Sequence, residues 1–280
     1  MAKLSTLAFF SMLAITSIHA SDIPKDALLL DLNANNYVSV EDGNRVYKWV
    51  SKVPQRPDLA LIKQDEGREN PGSGRPTLKL SVDALKGNNS IAFREQELIN
   101  FEEDVFDSLT QGKGYTWITI LSPYKQEGGL EDVNVFIGNL KNSDLYEGFW
   151  AGFTDENEIW CGTRNGVTFG RWDSNNPLIL GPQLKANEYY IIAGRMTSGA
   201  KTATIELFVN EPNPVATGEL PINPQSNPSK LAIGTERDAT NHPGWESFDG
   251  EIARLLIYER PLSDQELAKL LDLLNQTYLQ

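Results

Sequence analysis

The chain has 280 residues, 40% hydrophobic and 22% charged, with a formal net charge of −13, one cysteine and two histidines. That balance excludes a disordered or collagen-like chain, and so acidic a surface repels nucleic acid and anionic lipid unless a local basic patch overrides the mean field. Cys161 stands alone, so no intramolecular disulfide is available, and it reads as a small buried apolar group.

Residues 4–18, LSTLAFFSMLAITSI, form an apolar run between Lys3 and His19-Ala20. The pattern predicts a secretory signal, residues 1–20, cut after Ala20, and hence a secreted or periplasmic protein. No later segment approaches the roughly 20 apolar residues of a membrane span. Residues 21–280 are therefore expected to form a single domain without membrane insertion. Loss of the leader leaves His242 as the one histidine, which rules out a zinc site built on several histidines.

From Asp22 to Tyr258 the apolar residues follow a period of two, broken by Gly, Asn and Pro. Alternation predicts half-buried strands at 28–32, 45–50, 78–82, 90–94, 115–121, 133–137, 145–153, 158–164, 167–172, 189–195, 202–209, 230–234 and 250–258. Gly43-Asn44, Gly87-Asn88-Asn89, Gly128-Gly129, Asn165-Gly166 and Ser198-Gly199 mark turns between them. Residues 64–76 and 211–228 read as surface loops, the second because its prolines exclude a central strand. Helix is predicted at 102–111 and at 263–278. In the latter, Ser263 and Glu266 suit a capping box, and Leu267, Leu270, Leu271, Leu274 and Tyr278 share one face. Many short strands of this kind predict an all-β sandwich or jelly roll, with a short helix at the C-terminus.

Asp31, Asn33, Asn35, Ser39 and Asp42 have the spacing of an EF-hand calcium loop. Asn36 stands where that loop needs glycine, and the flanks, Leu28-Leu29-Leu30 and Val46–Val50, read as strands. The helix-loop-helix reading is therefore not favoured.

Lys230-Leu-Ala-Ile-Gly234, a variable loop, and Phe248-Asp-Gly-Glu-Ile-Ala-Arg-Leu-Leu-Ile-Tyr-Glu-Arg-Pro-Leu-Ser-Asp-Gln-Glu266 resemble the closing segment of laminin-G-like jelly rolls. These belong to the concanavalin A-like lectin/glucanase superfamily. Ile205–Asn210, Val46-Tyr-Lys-Trp49, Arg75-Pro76-Thr77-Leu78, Gly87 and Ile91-Ala-Phe93 resemble earlier parts of exported bacterial members. The resemblance implies two packed antiparallel sheets with a concave face that relatives use for glycans. It implies no activity, since the fold hosts lectins, adhesion modules, glycosidases and lyases. Relatives often hold a calcium ion at the sheet rim, and Asp238, Asn241 and Asp249 are the candidate ligands here.

The retaining-glycosidase pattern of alternating carboxylates on one strand is absent. The nearest cluster, Asp155-Glu156-Asn157-Glu158, reads as a solvated turn, and His242 would have to act without a partner. Aromatic residues instead crowd residues 146–172, with Arg164 and Arg171 among them. Trp150 and Gly152 share one strand face, and Trp160, Gly162 and Arg164 share another such row. Trp150, Trp160, Arg164 and Trp172 are the candidate glycan-binding residues, because aromatic rings stack on sugars and Arg donates to their oxygens. Core packing is the competing reading for each tryptophan. The function expected is non-catalytic carbohydrate binding with a polysaccharide or glycan as partner. A secreted polysaccharide-degrading enzyme and an adhesion or protein-interaction module remain the alternatives.

Overall fold

Seventeen strands occur among the described residues, which are 23–56, 59–63, 74–127, 132–141, 145–168, 173–236 and 246–280 of the computed structural model. The expected leader lies outside them. In chain order the strands are β1 (Leu28–Asn33), β2 (Val38–Glu41), β3 (Arg45–Val50), β4 (Ala60–Lys63), β5 (Thr77–Val82) and β6 (Asn88–Phe93). Then come β7 (Leu98–Ile99), β8 (Tyr115–Pro123), β9 (Asn134–Gly138), β10 (Glu147–Phe153), β11 (Glu158–Asn165) and β12 (Leu178–Gln183). The last are β13 (Tyr190–Met196), β14 (Thr202–Val209), β15 (Ala216–Pro221), β16 (Ala232–Ile233) and β17 (Gly250–Tyr258), followed by helix α1 (Asp264–Tyr278).

The pairings build two sheets. The back sheet runs β15–β14–β13–β8–β17, and the far edge of β17 is shared by β1 and β6, with β5 beyond β6. The front sheet runs β2–β3–β4–β7–β16–β9–β10–β11–β12. A single pairing, Arg45 with Thr77, joins the sheets at one side. At the other, β12 and β15 come so close that a Cβ on Gly218 would meet Ile179 Cγ2 at 2.8 Å. All of these ladders are antiparallel, as the alternation and the short turns require. The fold is a two-sheet jelly roll with one C-terminal helix.

The main core lies between the sheets. Trp117 of β8 meets Phe136 of β9 edge-on at 5.6 Å, and Tyr115 meets Phe149 at 5.1 Å. β17 is buried along its whole length because both of its faces are covered. Ile252, Leu255 and Ile257 point into the sandwich, while Ala253, Leu256 and Tyr258 face α1.

Helix α1 forms as the sequence predicts. The Ser263 hydroxyl accepts from the Glu266 amide, and the Glu266 carboxylate accepts from the Ser263 amide. Leu267, Leu270, Leu271, Leu274 and Tyr278 are buried against the back sheet, each aliphatic chain gaining about 1.5–3 kcal/mol by burial. Arg195 on β13 fixes the helix entry, donating to the Leu262 carbonyl and the Asp264 carboxylate at 2.8 Å each.

Beyond strands β2, β4, β7 and β12, which the alternation does not predict, the structure departs from the predicted elements in two places, and it bears out the strand reading of the EF-hand-like segment. Residues 102–111 contain a 3-10 helix, Glu103–Leu109, rather than an α-helix. Buried Phe106 and Leu109 are three apart, which eclipses them on a three-residue turn. The proline-rich stretch 211–228 includes β15, which pairs only with β14 and so tolerates Pro221 at its end. The EF-hand-like segment is a β1–β2 turn in which Asn33 Oδ1 accepts from the Asn35 amide, with a strand on either side.

Candidate functional site

Strand alternation sends Phe149, Ala151, Phe153, Ile159 and Cys161 into the main core. Their neighbours on β10 and β11 must then face the other way. On that face the register pairs Gly148 with Arg164, Trp150 with Gly162, and Gly152 with Trp160. Each indole lies across the glycine opposite it. A Cβ on Gly162 would come within 3.2 Å of Trp150 Nε1, and one on Gly152 within 2.7 Å of Trp160 Cζ2. The two rings meet edge-on, with centroids 4.7 Å apart and planes at 66°. Val133, Val135 and Leu140 complete a third apolar cluster, separate from the main core and from the one under α1.

The structure therefore brings Trp150, Trp160 and Arg164 together on one sheet face. For both indoles the packing reading holds over exposure. Trp150 is 2% and Trp160 1% exposed, so neither offers a free ring face in this conformation. The physical reason is the glycine–tryptophan alternation itself, which lets large flat rings sink onto the sheet. Among the described residues Trp160 Nε1 makes no hydrogen bond, and neither does Asn139 Nδ2, although Asn139 Oδ1 accepts from the Phe149 amide at 2.9 Å.

Arg164 is the polar member of the face. Its guanidinium lies 4.4 Å from the centre of the half-buried Tyr146 ring, a cation–π contact. Tyr146 is the outward residue just before β10, and its backbone is left-handed at φ +50°. A turn at Asp173–Asn176 is tied to the end of β11. Asn176 Oδ1 accepts from the Asn165 amide at 3.1 Å, and Asn165 Nδ2 donates to the Pro221 carbonyl at 3.0 Å. In that turn the Thr168 hydroxyl, the Asn175 and Asn176 amides and the charge of Arg164 hold the Asp173 carboxyl below the usual carboxylate range. An anionic turn thus stands beside a guanidinium on an apolar floor. Arg164 is 3% exposed, so it is Tyr146 and the Asp173 turn that reach solvent at this place.

Trp172, Asp238, Asn241 and His242 lie outside the described residues, as do Phe169 and Arg171. Asp249 is described. Its Oδ2 is 3.6 Å from Arg94 Nη1, and burial raises its carboxyl pKa against the pull of Arg94. Among the described residues no group of three or more His, Cys, Asp or Glu is placed to hold a metal.

Three buried carboxylates escaped the period-two reading. Glu97 is fully buried, and Glu236 and Glu246 nearly so, each engaged with a neighbour. The backbone of Glu236 crosses directly over Gly138 of β9, on the same outward row as Trp150. These residues flank strands rather than alternate within them, so hydrophobic periodicity carries no signal for them. For Glu236 and Glu246, only their position beside the Ala232-Ile233-Gly234 and Phe248-Asp249-Gly250 runs could have drawn attention.

No protein-family model matches the sequence, and no curated protein matches it. Solved structures do match. A sialidase of Trypanosoma rangeli, in complex with 2,3-difluorosialic acid as a covalent intermediate, aligns with a TM-score of 0.54 at 12% identity, over 91% of this chain and 33% of that one. The likeness is one of fold. The same sialidase in complex with sialic acid gives a TM-score of 0.53 at 12% identity, over 91% of this chain and 34% of that one. The CBM40 of a Ruminococcus gnavus IT-sialidase, bound to α2,3 sialyllactose, scores 0.48 at 16% identity, over 69% and 96% of the two chains. This chain spans about a third of the length of the T. rangeli sialidases.

Proposed function

We propose that the protein is a secreted or periplasmic, non-catalytic carbohydrate-binding protein of the laminin-G-like, concanavalin A-like kind. In this reading residues 1–20 are a cleaved signal and residues 21–280 one jelly-roll domain. The glycan lies across the outward face of β9–β11. The observation that carries the reading is the pairing of a desolvated guanidinium, Arg164, with an apolar floor on the sheet face turned away from the core. Trp150 and Trp160 form that rigid floor rather than a free stacking platform. Arg164 donates to sugar oxygens, Tyr146 presents the half-exposed ring, and Trp172 adds a further ring. Asp238, Asn241 and Asp249 are the proposed calcium ligands, with Asp249 contributing once Arg94 gives way.

A glycan array with and without a chelator tests this, with neutral, uronate-bearing and sialylated glycans included. Sialylated glycans belong in the set because a sialidase sharing this fold over a third of its length is seen with sialic acid. Retention by the wild type, and a loss of about tenfold or more in Arg164→Ala, equivalent to about 1.4 kcal/mol, are expected. Loss on chelation alone would support the ion. No retained glycan in either condition sinks the reading, and release of reducing ends would replace it with a hydrolase or lyase.

A further inference from the structure

We propose that the notch between the β1–β2 turn and the end of β3 is a separate subsite for a carboxylate-bearing sugar, with Tyr37 as the stacking ring and Lys52 as the counter-charge. The notch has a volume of about 450 Å³ and is lined by Tyr37, Val50, Ser51, Lys52, Val53 and Pro54, a size ordinary for a small-ligand site. It is distinct from the face described above. β3 and β10 are five strand spacings apart in the front sheet, about 24 Å at the usual inter-strand distance.

Tyr37 is the unusual residue. It is 64% exposed, the highest value among the exposed large hydrophobic side chains, and its backbone is left-handed at φ +55°. A bulky side chain adopts that conformation only under strain, and such strain collects at functional positions. Asn35 and Asn36 lie in the same turn and would accept the left-handed conformation more readily. The backbone is pinned on both sides: the Tyr37 carbonyl accepts from the Val50 amide, and the Asn36 amide donates to the Asn33 carbonyl. So much ring left in solvent gains little from core packing, and folding alone gives no reason to keep it there.

Lys52 supplies the charge. Its ammonium rests 4.9 Å from the centre of the Tyr37 ring, and among the described residues it makes no ion pair. The floor is rigid, because Val53 and Ser51 are buried and the Ser51 hydroxyl accepts from the Asp31 and Val53 amides. An apolar floor and an aromatic ring suit the C–H face of a pyranose. The ammonium lies over the ring, so a stacking sugar has to displace it toward the ring edge, where it selects a sugar that carries a carboxylate through a charge-assisted hydrogen bond.

The test is an NMR titration of the 15N-labelled full chain with glucuronate, N-acetylneuraminate and glucose. At least one acid is expected to shift the Tyr37, Val50 and Lys52 amides saturably, with glucose at least tenfold weaker; which acid acts identifies the sugar class. Lys52→Gln should erase the difference between acid and glucose. Tyr37→Gly should abolish the shifts while leaving Tm unchanged or higher, since it removes strain. The proposal is overturned if neither acid shifts these amides, if glucose binds as tightly, or if Lys52→Gln retains the preference. A marked fall in Tm for Tyr37→Gly would make the ring structural and equally defeat it.

Discussion

Replacing Gly152 by alanine tests the physical account of the outward face. The added Cβ would sit 2.6 Å from the Asn134 carbonyl oxygen and 2.7 Å from Trp160 Cζ2. The first atom is sheet backbone paired through β9, so both that backbone and the indole have to give, by several tenths of an ångström. It cannot do so freely, because Trp150 blocks it edge-on at 4.7 Å. Overpacking of this kind costs about 1–3 kcal/mol. Stiffening of the unfolded chain by Gly→Ala returns about 0.4–1 kcal/mol. The net loss should be up to about 2.6 kcal/mol, or a fall of up to about 10 °C in Tm for a domain of this size. The assay is thermal unfolding alongside near-ultraviolet circular dichroism, which reports the coupling of the two indoles. Wild-type Tm together with an unchanged tryptophan signal would falsify the interlocked packing. Gly43→Ala is the control. A Cβ there meets nothing within 4 Å, and its left-handed backbone alone should cost about 1–2 kcal/mol without touching the tryptophan signal.

Glu251 accepts from Lys79 and Tyr124 on one oxygen and from Ser90 and Tyr189 on the other, at 2.5–2.6 Å. Burial pushes its carboxyl up, but these donors together hold it below the usual range. The stabilisation is thus present above the unfolded value near 4.3 and lost as pH falls through the lower folded value. Glu251→Gln should cost about 1–3 kcal/mol at neutral pH and flatten the acid limb of a stability–pH curve; an unchanged acid limb would refute this. The same sign applies to Glu266, which Arg260 and the Ser263 cap hold at about 2. Ser263→Ala should cost about 0.5–2 kcal/mol in denaturant titration, and a neutral result would show that side-chain docking alone holds the helix. Burial pushes the Cys161 thiol up, so iodoacetamide should label it only after denaturation, and rapid native labelling would contradict its place in the core.

The face logic of β10 and β11 was legible in the sequence. Period-two spacing put Trp150 with Gly152 and Trp160 with Gly162 and Arg164, and the register brings these rows together. The capping box at Ser263 and Glu266 was equally legible, because it depends on residues three apart. Short or edge strands were not. β4, β7 and β12 carry too few residues or too many apolar ones in a row for alternation to show, as in Leu178-Ile179-Leu180. The buried glutamates were invisible for a related reason: a carboxylate beside a turn reads as solvated until the rest of the fold covers it.

By itself the sequence determined which residues alternate, where the chain turns, how the last helix begins, and therefore that the protein is an all-β sandwich or jelly roll with a C-terminal helix. These are local properties, set by side-chain periodicity and capping over a few residues. Whether a ring on a known face is sunken or exposed depends on what lies across the strand and over the sheet, which is non-local. Trp150 and Trp160 therefore became a buried floor only in three dimensions. For the same reason Tyr37, inconspicuous in a turn rich in asparagine, emerged as an exposed, strained ring beside an unpaired ammonium.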